Sequence, residues 1–165
     1  MMKPWNNRSD IEAALFNPAF CGELIMHAVK AYNRNSKHGK FPYALSYLVL
    51  PFLLNAELFD SLPATKKTKL ITWLYGNRFL TPTIVDKVKS LKEYTNEAIL
   101  LYLRVDLLQI NELIQLDLGS SKMVRKNNFH RGVVDEKLKR AEFLGSWLSE
   151  AGDVVTIYSL LGITI

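Results

Sequence analysis

Thr81 to Val105 reads TPTIVDKVKSLKEYTNEAILLYLRV, and this stretch sets the fold class. Thr81-Pro82 is a helix start, because proline brings the φ of a first turn ready-made. Ile84, Val88, Leu91, Thr95, Ala98, Tyr102 and Val105 then recur alternately at intervals of four and three, a heptad-like stripe on one helix face. Leu100, Leu101, Leu103, Leu107 and Leu108 broaden the stripe toward the C-terminal end, so that end is expected to be the more deeply buried.

Upstream, two more helices announce themselves by their caps. Ser9 with Glu12 three positions on is a capping box. Asn17-Pro18 is an N-cap followed by proline at the first helical position. The helix it opens is expected to reach about Tyr32, with Phe20, Leu24, His27, Ala28 and Ala31 on its apolar face. Phe41 to Leu54 is apolar all round, which implies burial on every side. Pro51 inside it predicts a bent or broken segment. Thr65 to Tyr75 reads as a short amphipathic helix, with Lys66, Lys67 and Lys69 outward and Leu70, Trp73 and Leu74 inward.

From Glu112 the period changes. Leu113, Ile114, Leu116 and Leu118 read as a strand, Gly119-Ser120-Ser121 as a turn, and Met123-Val124 as a second extended run. Asp135 is placed to cap a helix with Leu138, Ala141, Leu144, Gly145 and Leu148 on its inner face. Val154 to Ile165 is an apolar tail that must dock on its own domain or on a partner. The expected architecture is mainly α: a single helical domain over 1–165, with an N-terminal helical part at 9–110. The remainder, 111–165, holds a small β-hairpin near 112–128, a C-terminal helix and the tail.

Composition excludes several classes. The chain has 165 residues, 48% hydrophobic and 22% charged, the balance of a folded domain with a real core. Cys21 is the only cysteine, so no internal disulfide and no thiolate metal cluster forms, and a buried inert thiol is expected. Met1 to Arg8 lacks the apolar core of a signal peptide, and Phe41 to Leu54 is too short to span a bilayer. A cytoplasmic protein without membrane contact is expected.

Motifs that carry chemistry are few in this chain. Gly39-Lys40 lacks the glycines and the hydroxyl residue of a phosphate loop. Ser120 lacks the glycine pattern of a nucleophile elbow. His27, His38 and His130 are not spaced to put two ligands on one helix face, and His27 is expected to be a satisfied core histidine. Asp135-Glu136-Lys137 resembles the end of a magnesium nuclease site but lacks a second carboxylate on an adjoining strand. Its acidic residues suit a helix N-terminus. No catalytic, cofactor or metal residue is therefore assigned. Trp5, Trp73 and Trp147 are expected as buried anchors.

One charged feature is concentrated. The net charge of the chain is +5, and residues 122–140 hold Lys122, Arg125, Lys126, Arg131, Lys137, Lys139 and Arg140. Lys122, Arg125, Lys126 and Arg131, on or just after the proposed hairpin, are the candidates for contact with a partner or with nucleic acid. A solvated face or a surface for an acidic partner accounts for them as well as DNA does. A small winged-helix-like DNA-binding protein is the alternative reading. It requires a basic recognition helix before the hairpin, whereas the helix found there is strongly apolar. An enzyme with an unfamiliar site also stays open.

Four stretches in order resemble the middle components of three-component ABC (ABC-3C) systems, a group that includes Lamassu-type antiphage and antiplasmid defence operons. They are Asn17-Pro18-Ala19-Phe20, the segment ending Leu48-Val49-Leu50-Pro51, the helix with Trp73-Leu74, and Ala141 to Leu148 followed by Ile157 to Ile163. The resemblance implies a bacterial defence complex. In it a non-catalytic adaptor joins an SMC-like ABC ATPase to an effector, often a nuclease. The basic cluster is not among the resembling stretches.

Overall fold

The structure, a computed structural model, describes residues 7–123 and 132–164. Trp5, Val124, Arg125, Lys126, Phe129, His130, Arg131 and Ile165 lie outside the described residues. Ser9 caps α1 (Asp10–Leu15), its hydroxyl accepting from the Glu12 N–H at 3.2 Å. Asn17 caps α2 (Pro18–Asn35), accepting from the Ala19 N–H at 2.9 Å. Both caps are those the sequence predicts, and α2 runs one turn farther than expected.

α2 is the axis of the fold. Two long helices pack on it: α6 (Thr81–Arg104) and α7 (Val133–Leu148). Each approach depends on a glycine. A Cβ on Gly22 of α2 would lie 2.2 Å from the Tyr102 ring of α6, and one on Gly145 of α7 would lie 2.0 Å from the Ala28 carbonyl oxygen of α2. Those gaps admit only hydrogen, so α2 touches a flat ring on one side and backbone on the other. Tyr102 then reaches past Gly22, and its hydroxyl donates to the Ala19 carbonyl at 2.7 Å.

The apolar run 41–54 is broken near Pro42, and the break expected at Pro51 is absent, since one helix continues through it. It forms β1 (Phe41–Pro42), a 3-10 turn at Tyr43–Leu45, and α3 (Ser46–Leu54) with Pro51 inside it. Leu48, Val49, Leu50, Phe52 and Leu53 are all buried, which explains a helix without a polar face. α4 (Ala56–Ser61) follows from an Asn55 cap. α5 (Leu70–Gly76) is shorter than expected, because 65–69 is a turn and Lys66, Lys67 and Lys69 sit on it. Trp73 and Trp147 are buried anchors with rings at 5.7 Å, and their indoles donate at 2.7 Å to the Ser61 and Thr68 carbonyls.

α6 ends sooner than the apolar pattern suggests. The Leu107 N–H bonds to the Tyr102 carbonyl and the Asp106 N–H to the Leu103 carbonyl. With Asp106 at φ 55°, this is a Schellman stop. Aspartate is among the few residues that tolerate this conformation, and it overrides the leucines beyond it. The C-terminal half of α6 is still the more deeply buried: Thr95, Ala98, Ile99 and Tyr102 are buried there against Ile84 and Leu91 earlier, Leu101, Leu103 and Leu107 pack partly on the core, and of the expected apolar positions only Leu100 and Val105 are exposed.

The helix stop also relocates the hairpin. β2 (Leu108–Ile110) pairs antiparallel with β3 (Gln115–Leu118), Ile110 opposite Leu116. The strand expected around Leu116 and Leu118 is present, but its partner precedes it in the chain. Gly119 to Ser121 serves instead to bond back to Asp106, the Ser121 N–H reaching its carbonyl at 2.9 Å. β1 adds to the other edge of β3, giving the sheet order β1-β3-β2. α7 begins before Asp135, which sits in its first turn and does not cap it. The tail docks on its own chain: α8 (Val154–Leu160), capped by Asp153, buries Ile157 and Tyr158, and the Tyr158 hydroxyl donates to the Ala44 carbonyl.

Gly145→Ala tests the α2–α7 contact. In a free helix the change would stabilise by about 0.5–1 kcal/mol. Here the new methyl overlaps the Ala28 carbonyl, so a loss of about 1–3 kcal/mol is expected in denaturant titration. A gain in stability would mean that the helices stand farther apart.

Candidate partner-binding surface

The basic residues of 122–140 separate into two groups by what their side chains touch. Lys137 and Arg140 belong to the fold. The Lys137 ammonium donates to the Leu53 carbonyl at 2.6 Å, at the C-terminal end of α3, and lies 4.3 Å from the Phe59 ring centroid. Its partial burial holds its pKa below the usual lysine value. Arg140 donates to the Pro63 carbonyl at 3.1 Å and stacks between Phe59 and Phe143. Lys122 and Lys139 are exposed. Lys122 borders a cleft of about 380 Å³ with Lys30, Met26, Leu118 and Met123, whose rim carries His27. Lys139 borders another, of about 420 Å³, with Arg34, Lys66 and Phe143. Glu142 stands between the clefts, its carboxylate 3.0 Å from His27 Nδ1. His27 is thus half-buried on a carboxylate at a cleft rim, and the expected core placement is corrected.

The hairpin carries no lysine or arginine: 108–118 reads LQINELIQLDL. Its attachment and its tip are both polar networks. Asn33 of α2 fastens the sheet. Its amide nitrogen donates to the Leu116 carbonyl at 3.1 Å and to Asp117 at 3.0 Å, while its oxygen accepts from the Phe41 N–H at 2.7 Å. Asp117 also pairs with Lys40 at 2.8 Å. Burial pushes the Asp117 carboxyl up, but Lys40, the Leu118 N–H and Asn33 together hold it below the usual carboxylate range.

At the tip, Asn111 organises the three-residue connection 112–114. Its side-chain oxygen accepts from the Leu113 and Gln115 N–H groups, each at 3.0 Å, and its amide donates to the Gln115 side chain at 3.0 Å. The Ile114 N–H returns to the Asn111 carbonyl at 3.0 Å, and the Ile114 carbonyl accepts from the Tyr43 N–H at 3.0 Å. Such a turn places its last residue in the left-handed region, where glycine or asparagine is usual. Ile114 occupies it at φ 56°. Ile110, Leu113 and Ile114 are 45%, 76% and 62% exposed. Leu113 and Ile114 are therefore turn residues and not the strand positions that hydrophobic alternation predicts; Asn111 before them is the sequence signal for a turn.

Among the described residues no three His, Cys, Asp or Glu side chains are grouped to hold a metal ion, and no helix is long and apolar enough to cross a membrane. Cys21 is buried, and burial pushes its thiol up to about 12, which suppresses the thiolate. The protein is thus a mainly helical one with a small antiparallel sheet fastened to its central helix, and its described surface carries two clefts bordered by cations and an apolar hairpin tip. It belongs to the Middle Component 3 family of ABC-three component (ABC-3C) systems, whose family model matches residues 5–165. No curated protein and no solved structure matches it.

The Asp117 network predicts a pH dependence. A carboxyl held low in the folded state contributes stability above its unfolded pKa and loses it as pH falls through the folded value. The excess stability of the wild type over Asp117→Asn should be full at neutral pH and shrink below about pH 4, the ordinary aspartate range. Thermal melts across that range check this; a constant difference between about pH 3 and pH 7 would assign the effect to shape and not charge.

Proposed function

We propose that this chain is a non-catalytic adaptor that joins an SMC-like ABC ATPase to an effector, a nuclease, within a bacterial defence complex of the Lamassu type. The observation that carries the reading is membership of a middle-component family over nearly the whole chain, since a middle component works with the other components of its system. The geometry supports it. The conspicuous side chains of the described surface are suited to contact: exposed cations around two clefts and an apolar tip. Lys122, Arg125, Lys126 and Arg131 are proposed to meet acidic side chains of the ATPase or to supplement DNA held mainly by it. Four cations alone support only weak non-specific DNA binding, about 10⁻⁴ to 10⁻⁶ M at physiological salt. DNA contact by this protein is therefore indirect or auxiliary.

Co-expression with the products of the adjoining genes, followed by size exclusion at micromolar concentration, should give one complex. The double charge reversal Arg125→Glu and Lys126→Glu should weaken that complex and leave the melting temperature unchanged. Clean separation of the wild-type proteins, or nanomolar binding of duplex DNA by the isolated chain in physiological salt, would remove the adaptor reading.

The isolated protein should hydrolyse neither nucleotides nor nucleic acid with magnesium present. Cleavage that tracks the chain through purification and disappears in Asp135→Ala would make it an enzyme.

A further inference from the structure

We infer that the hairpin tip, Ile110 with Leu113 and Ile114, is a preformed anchor that inserts into an apolar pocket on a different subunit of the complex. The inference rests on the adaptor reading and names the surface that reading leaves open.

Two unfavourable features coincide at the tip. Leu113 and Ile114 show 76% and 62% of their surface to water, and Ile110 beside them 45%. Ile114 also holds φ at 56°. For a β-branched side chain that conformation is a steric outlier. Asparagine or glycine at 114 would relieve both the backbone and the exposure, so the isolated chain gains nothing from isoleucine there. Such residues persist where a function requires them.

The tip is also rigid. Asn111 receives the Leu113 and Gln115 N–H groups, and Tyr43 holds the Ile114 carbonyl from the turn after β1. Asn33 fixes the same sheet to α2. The backbone that carries the apolar side chains is therefore held before binding, which lowers the ordering cost of a small anchor. Glu112, Asn111 and Gln115 surround them with polar groups, the arrangement of an anchor with a rim that excludes water.

The size of the patch argues for the occupant. Stable association buries about 800 Å² on each partner. Three side chains supply a fraction of that, and tip against tip around a two-fold axis buries less still. Tip-to-tip pairing of two copies is thus too small to be stable. A concave apolar pocket within a larger interface uses it fully, and the system to which the family belongs supplies other components.

The test uses the complex of co-expressed subunits. Ile114→Asn replaces the outlier with a residue suited to the turn, and Leu113→Ser removes the other exposed apolar group. Each variant is expected to melt at or above the wild-type temperature and to bind the other subunits about tenfold more weakly or worse, the loss typical of a central anchor. Wild-type affinity in both variants overturns the anchor while leaving the adaptor reading in place. A clear fall in melting temperature for Ile114→Asn assigns Ile114 to the fold and overturns it as well. Loss of a homo-oligomer in place of the mixed complex makes a second copy the occupant and overturns the mixed-subunit anchor. Failure of the wild type to form any complex removes the adaptor reading and the anchor together.

Discussion

The tightest constraint in this protein is the room around α2. On one side Gly22 lets the Tyr102 ring lie against the helix, and on the other Gly145 lets α7 approach the Ala28 carbonyl. Interiors are packed as densely as organic crystals, so a contact with space for hydrogen alone fixes the helix positions to a fraction of an ångström. The other elements take their places from those helices. α6 delivers the Schellman turn at Asp106 that starts β2. α7 delivers Lys137 to the end of α3, Arg140 to Pro63, and Trp147 against Trp73. The sheet hangs on α2 itself through Asn33.

The polar groups inside this frame act mostly as fasteners. Arg8 pairs with Glu97 at 3.0 Å and lies over the Tyr94 ring, and the Tyr94 hydroxyl donates to Glu12. These contacts tie α1 to α6 and use charge that composition alone would count as surface. The same holds for Lys137 and Arg140, whose aliphatic stems pack while their heads satisfy carbonyls. Several cations of this basic chain are therefore part of its frame, while Lys30 and Lys122 border one cleft and Arg34 and Lys139 the other.

Much of the architecture was legible. The caps at Ser9 and Asn17, the stripe from Ile84 to Tyr102, the broken apolar run at 41–54 and the small residue at Gly145 each act through neighbours within a turn or two, or through a burial pattern that repeats along the chain. The family was legible for a related reason, since the stretches that carry the resemblance include the Asn17 cap, the apolar run ending at Pro51 and the helix around Gly145, and the family model matches residues 5–165. The surface that a partner meets was harder to read. Leucines at 100 and 113 look like core in a pattern that counts only hydrophobicity, yet both are exposed, because position 100 lies on the outer face of α6, away from Ala98 and Tyr102, and the chain turns at Asn111.

The sequence by itself determined where α1, α2 and α6 begin, which faces the long helices bury, and that α7 must meet a neighbour at Gly145, because these depend on capping, period and side-chain volume. Only the tertiary structure decided that the neighbour is Ala28, that Leu116 pairs with Ile110 on one side and Phe41 on the other, and that Ile114 stands exposed with a positive φ. Those outcomes join residues far apart in the chain or depend on a single backbone torsion, and neither leaves a periodic trace in the sequence.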